Sequence, residues 1–91
     1  MNEKILDSFS GKTILVTGGA GAIGGNLVNA LEKTDAKQII ILDNLSSSYL
    51  WNVPKGKKIK FIQGDILDDE KLKWIFKSKP EIVYHLGAHF A

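Results

Sequence analysis

Gly18, Gly21 and Gly24 recur at three-residue spacing in the run Thr17-Gly18-Gly19-Ala20-Gly21-Ala22-Ile23-Gly24. Residues of this type and spacing hold an anion; they do not make or break a bond. An apolar stretch, Thr13 to Val16, precedes the run, and a helix-like stretch, Ile23 to Leu31, follows it. A helix N-terminus presents backbone N–H groups and the positive end of a dipole to a pyrophosphate. Glycine leaves the space that a Cβ would take from an approaching phosphate and from the close packing of helix on strand. A second chemical group stands on the next apolar stretch. Gln38-Ile39-Ile40-Ile41-Leu42-Asp43 ends in a carboxylate roughly 20 residues after the last glycine, where a ribose diol is held in a dinucleotide site. A carboxylate there repels a 2′-phosphate, and the sequence has no arginine to attract one. The pair therefore favours NAD over NADP. A plain glycine turn and a turn-capping Asp43 are the simpler readings of the same residues.

These groups need elements to carry them. Thr13 to Thr17 is β-branched and apolar and reads as the first strand. Ile23 to Leu31 reads as a helix, with Ile23, Leu27, Ala30 and Leu31 on its buried face. Gln38 to Asp43 is continuously apolar, as suits a strand covered on both faces of a parallel sheet. Residues 46–53 fit either a short helix or an ordered loop. Ile59 to Gln63 reads as the third strand. Asp68 is placed as the N-cap of a second helix, with Asp69 and Glu70 at its positive end and Leu67 and Leu72 spaced for a hydrophobic staple. Leu72, Ile75 and Phe76 form its expected buried face, Lys77 and Lys79 suit its end, and Pro80 stops it. Trp74 falls off that face, and both tryptophans, Trp51 and Trp74, read as packing residues. Glu81 to Leu86 is the fourth strand. Alternation of strand and helix predicts an α/β fold, a Rossmann-type doubly wound parallel sheet of strand order 3-2-1-4, incomplete at four strands. The fourth strand runs into Leu86-Gly87-Ala88, small residues that let a cofactor lie across the strand end.

Bulk properties narrow the function. The 91 residues are 44% hydrophobic and 24% charged, within the range of a globular domain or part of one. Residues 1–11 read as an N-terminal lead-in, and 12–91 as the N-terminal half of an NAD-binding Rossmann domain. No cysteine is present, which excludes disulfides and thiolate metal sites. The twelve basic residues are all lysines, spread along the chain for a formal charge of +2. Nucleic-acid binding calls for a concentrated patch, and Lys55 to Lys60 reads as a solvated loop entering a strand. No apolar run spans a bilayer, and Met1 to Ser10 lacks the apolar centre of a signal peptide, so the expected location is cytoplasmic, away from membranes. His85 and His89 lack a carboxylate partner in sequence reach and read as neither catalytic nor metal-ligating.

The glycine run, Asp43-Asn44-Leu45 with its following serines, Gly64-Asp65-Ile66 and Val83-Tyr84-His85-Leu86-Gly87-Ala88 resemble the extended short-chain dehydrogenase/reductase family. The branch is that of NAD-dependent nucleotide-sugar epimerases and dehydratases, and the resemblance runs from Lys12 to Ala91. It implies backbone contacts from Ala22 and Ile23 to the pyrophosphate. It implies Asp43 on the adenosine ribose, with Asn44, Ser47 and Ser48 nearby. It places Asp65 and Ile66 at the adenine, although Asp65 after Gly64 also fits a simple turn. Leu86, Gly87 and Ala88 would line the path to the nicotinamide ribose. The family usually has alanine where Gly87 stands, a departure that loosens packing more than it blocks binding.

The same resemblance implies catalysis by a Tyr-x-x-x-Lys pair during transient oxidation at a sugar C4, with a nucleotide sugar as substrate. Here Tyr49 is followed four residues on by Val53 and Tyr84 by Ala88, so no catalytic residue is assigned. The expectation is the cofactor-binding part of a larger enzyme, inactive alone, which associates as a homo-oligomer or swapped dimer through an exposed strand edge. A regulatory dinucleotide-binding module without catalysis, and an interaction protein on a degenerate half-fold, remain open alternatives.

Overall fold

The computed structural model describes residues 9–45, 53–65 and 67–86. Four parallel strands, β1 (Thr13–Thr17), β2 (Gln38–Asp43), β3 (Ile59–Gln63) and β4 (Ile82–His85), form one sheet. Their order is β3-β2-β1-β4, as the alternation predicts. Helix α1 (Ala22–Glu32) links β1 to β2, and α2 (Asp69–Phe76) lies between β3 and β4 in the chain. The register pairs Thr17 with Leu42 and with His85, and Asp43 with Gln63, so the carboxyl ends of all four strands lie along one edge.

β1 and β2 are central and carry the core. Side chains alternate between the sheet's faces, and the buried residues split accordingly. Ile14, Val16, Ile39 and Ile41 pack with Val28 and Leu31 of α1, while Leu15, Ile40 and Leu42 pack with Ile75 of α2. Phe9, from the lead-in, is buried in the first cluster.

Three sequence expectations about side chains are corrected. Ile23 is 77% exposed, and the buried face of α1 runs through Gly24, Val28 and Leu31. Gly24 abuts the sheet, and a residue one step away is turned about 100° round the helix. Leu67 is 78% exposed, so no staple closes α2. Its start is held by polar groups instead: the Asp68 carboxylate accepts from Lys71 N at 3.2 Å, and Asp65 accepts from Leu67 N and Asp68 N. Phe76 is half-exposed at the last turn of α2, which leaves Ile75 as that helix's buried residue.

Other expectations meet added detail. Lys79, in the left-handed region at φ 51°, ends the last turn before Pro80. Trp74 is half-exposed with Lys60 Nζ 4.0 Å from its ring centre. Lys58 is more than a solvated charge, because its Nζ donates to the carbonyls of Glu32, the last residue of α1, and of Thr34 just after it. The ladder of β4 extends one bond past each end, from Glu81 N to Thr13 O and from Leu86 N to Thr17 O. No helix among the described residues is long and apolar enough to cross a membrane.

Replacement of Ile75, only 1% exposed, by alanine should cost about 2–4 kcal/mol of unfolding free energy in a urea titration. Trp74→Ala should cost about 1 kcal/mol, the scale of a solvent-facing cation–π contact.

Candidate functional site

The chain leaves β1 through Gly18 at φ +77°, a conformation that a side chain disfavours. Gly18 N donates to Leu42 O at 2.8 Å, which ties the turn to the end of β2. Gly21 N closes the turn onto Gly18 O at 3.2 Å, and Gly25 N to Gly21 O at 2.7 Å makes the first bond of α1. Gly21 caps the helix in extended geometry without a side-chain bond. The N–H groups of Ala22, Ile23 and Gly24 therefore belong to the open first turn of the helix. Steric room explains the third glycine: a Cβ on Gly24 would stand 2.2 Å from Gly18 O and 2.8 Å from Gly19 Cα. Gly19 is equally confined, with a Cβ falling 2.7 Å from Ile41 Cγ2. The turn is thus packed on backbone at Gly24 and on the Ile41 side chain at Gly19.

Asp43 sits beside that turn at the end of β2. Its Oδ2 accepts from Ala20 N at 3.1 Å and its Oδ1 from Leu45 N at 2.8 Å. Leu45 adopts φ 61°, left-handed and uncommon for a branched side chain, and the short bond to Asp43 closes this loop. Asn44 Nδ2 reaches Asp65 Oδ2 at 3.4 Å, and Gly64 N donates to Asp43 O at 3.0 Å. The exits of β2 and β3 are joined in this way. Asp65 makes the turn that its sequence position allows, with Oδ1 accepting from Leu67 N at 3.1 Å.

Gly18, Gly21, Ala22, Ile23, Gly24, Asp43, Asn44, Asp65 and Leu86 therefore gather along the carboxyl edge of the sheet. Ser47, Ser48, Ile66, Gly87 and Ala88 lie outside the described residues, as do Tyr49, Trp51 and His89. One residue on this edge gains a partner that sequence spacing did not reveal. His85 Nδ1 lies 2.7 Å from Thr17 Oγ1, across 68 positions of chain. The strand pairing of Thr17 with His85 brings them together, and only the register of β1 and β4 carries that signal. Among the described residues no group of three His, Asp or Glu side chains is arranged to hold a metal ion.

A glycine turn between the first strand and a helix, with an acidic residue closing the second strand, defines a dinucleotide-binding α/β protein. Residues 14–91 match the NAD dependent epimerase/dehydratase family, and the chain belongs to it. It is 47% identical over 82 residues to a UDP-glucose 4-epimerase of Neisseria meningitidis, an alignment that covers 84% of this chain and 24% of that protein. Among solved structures, the epimerase Mth375 of Methanothermobacter thermautotrophicus superposes at a TM-score of 0.89 with 56% identity, over 97% of this chain and 26% of that one. The Bordetella bronchiseptica enzyme WbmF in complex with NAD+ superposes at 0.81 with 32% identity, over 90% and 24%. The chain spans about a quarter of the length of these relatives.

The glycine turn makes a sharp prediction about two adjacent glycines. Gly24→Ala should destabilise the fold by about 3 kcal/mol or more, since the clashing atoms are backbone and cannot rotate away. Gly25→Ala, whose nearest neighbours lie at 3.9 Å, should be neutral or stabilise by up to about 1 kcal/mol through helix propensity. Thermal unfolding of the two variants checks the contrast.

Proposed function

We propose that this chain binds NAD and forms the cofactor-holding part of a nucleotide-sugar epimerase or dehydratase. The observation that carries the reading is the glycine turn at Gly18 to Gly24, which packs α1 on the end of β1 too closely for a Cβ at Gly24 and lies directly against the Asp43 carboxylate. A glycine turn that opens a helix suits a pyrophosphate, and a carboxylate at the end of the next strand suits a ribose. The backbone N–H groups of Ala22 and Ile23 would meet the phosphates, and Gly18, Gly21 and Gly24 would shape the turn that presents them. Asp43 would accept from the adenosine ribose hydroxyls, with Asn44, Ser47 and Ser48 beside it. Asp65 and Ile66 would border the adenine, and Leu86, Gly87 and Ala88 the path to the nicotinamide ribose.

Bound NAD supplies a reversible hydride acceptor. In the proposed reaction it serves a transient oxidation of the sugar C4 hydroxyl. The role of this chain's residues is to bind and orient. The sequence holds two tyrosines, neither followed by lysine four positions on, and so assigns no group to take the hydroxyl proton. The 91 residues by themselves are inactive on this reading. A soluble, cytoplasmic protein belongs to the same proposal, as does self-association through β4, whose Val83 is half-exposed at the edge of the sheet.

Calorimetric titration should show NAD binding and weaker NADP binding. Asp43→Ala should weaken NAD about tenfold or more, the effect of removing hydrogen bonds to a charged acceptor. No detectable heat or thermal shift with NAD would reject the reading. Sedimentation should find dimers or larger species, and a monodisperse monomer would remove the self-association from it.

A further inference from the structure

The proposed ribose contact leaves unexplained why both oxygens of Asp43 already accept backbone N–H groups. Oδ2 takes the N–H of Ala20, in the middle of the glycine turn, and Oδ1 takes that of Leu45, in the loop leaving β2. We infer that Asp43 is a positioning residue for the phosphate cradle, one that holds the glycine turn against the β2 exit before any ligand arrives. This rests on the cofactor reading for its ligand, but the inference concerns the resting fold.

The chemistry of the two donors dictates the residue. Two N–H groups arriving on two different oxygens require an acceptor on both, and among side chains of this length only a carboxylate offers that. An asparagine presents one oxygen and one NH2. Whichever way it is flipped, the NH2 faces either Ala20 N–H or Leu45 N–H, donor against donor. Position 43 is therefore acidic on account of the turn itself, independently of any preference between NAD and NADP.

The geometry also leaves room for the ligand. A carboxylate has about four lone-pair sites, and the two backbone donors occupy two. Asp43 is only partly buried, so the remaining sites can face ribose hydroxyls. One side chain then touches the ribose and also braces the turn that receives the pyrophosphate. The two halves of a dinucleotide are bound by parts of the chain that Asp43 connects. Leu45 supplies the brace on the other side. Its left-handed backbone turns the N–H back onto Oδ1, while its side chain packs against the core cluster that includes Val28 and Ile41.

The test compares the wild-type chain with Asp43→Asn in two measurements. The first is amide hydrogen exchange without ligand, followed by NMR. Ala20 and Leu45 should be protected in the wild type relative to Ala22 in the open first turn of α1. Asp43→Asn should speed exchange at one or both by about tenfold while Val16 and Ile41 in the central strands stay protected. The second is calorimetric affinity for inorganic pyrophosphate, which has no ribose, alongside NAD. The positioning role expects pyrophosphate to weaken at least about fivefold, the scale of one lost hydrogen bond, together with NAD. Unchanged exchange at both amides, with loss confined to NAD, overturns the inference and leaves Asp43 a ribose ligand only. If the wild type binds neither NAD nor pyrophosphate, the cofactor reading fails, and the exchange data still decide the positioning role. If Asp43→Asn does not fold, the wild type decides: an Ala20 amide exchanging as fast as that of Ala22 overturns the inference, and a protected one supports it.

Discussion

Helix α1 approaches the end of β1 so closely that a carbonyl oxygen, Gly18 O, occupies the space beside residue 24 where a side chain would begin. Much of the arrangement follows from that contact. The turn between strand and helix must be short, which places Gly18 in the left-handed region and sends its N–H across to Leu42. The helix must start at the carboxyl edge of the sheet, so its open first turn lies beside the ends of β2 and β4. With Gly24 against the backbone, Val28 and Leu31 follow one and two turns on and meet Ile14, Val16, Ile39 and Ile41. One pair of backbone groups in contact thus sets the orientation of the helix, the composition of its buried face and the location of the site.

The strands, their order and the glycine turn were legible in the sequence because each rests on a local signal: continuous apolar runs, glycines at fixed spacing, a carboxylate at a strand end. The cap at Asp68 was legible for the same reason, and the hydrogen bond from Lys71 N fulfils it. The misreadings all concern which way an apolar side chain points near an element's end. Ile23, Leu67 and Phe76 are apolar, yet each stands in or next to a terminal turn and is exposed, Ile23 because Gly24 takes the position that faces the sheet. Long-range polar partners were the other hidden layer. The contact of His85 with Thr17 and the bond from Ala20 to Asp43 depend on strand register and on the path of a turn, and neither leaves a trace in local composition.

Charged side chains at both ends of the sheet meet complementary backbone groups, and at the carboxyl edge Lys71 Nζ also donates to Gln63 O. At the carboxyl edge, carboxylates accept backbone N–H groups: Asp43 from two loops and Asp65 from the approach to α2. At the opposite edge a cation meets carbonyls, as Lys58 reaches the end of α1. Each charge sits on the complementary pole of nearby backbone, which is favourable by a few tenths to about 1 kcal/mol per group in exposed settings. Acidic side chains at the site edge therefore coexist with a cradle for a phosphate anion, because their oxygens are turned toward the loops that shape it.

Among the described residues strand β4 pairs with β1 alone, and residues at alternate positions along it are exposed. β1 and β2, by contrast, are paired on both sides and buried. Local opening free energies differ between strands, and the less buried β4 can open while β1 and β2 stay packed. The bonds that hold its end, Leu86 N to Thr17 O and His85 to Thr17, join it to the residue next to Gly18. Local melting of β4 would therefore loosen one wall of the glycine turn while the rest of the sheet stayed intact. By mass action, any ligand that spans the strand ends and binds only the closed form tightens that outer strand as it binds. The carboxyl end of β4 is in that sense thermodynamically linked to occupancy of the site.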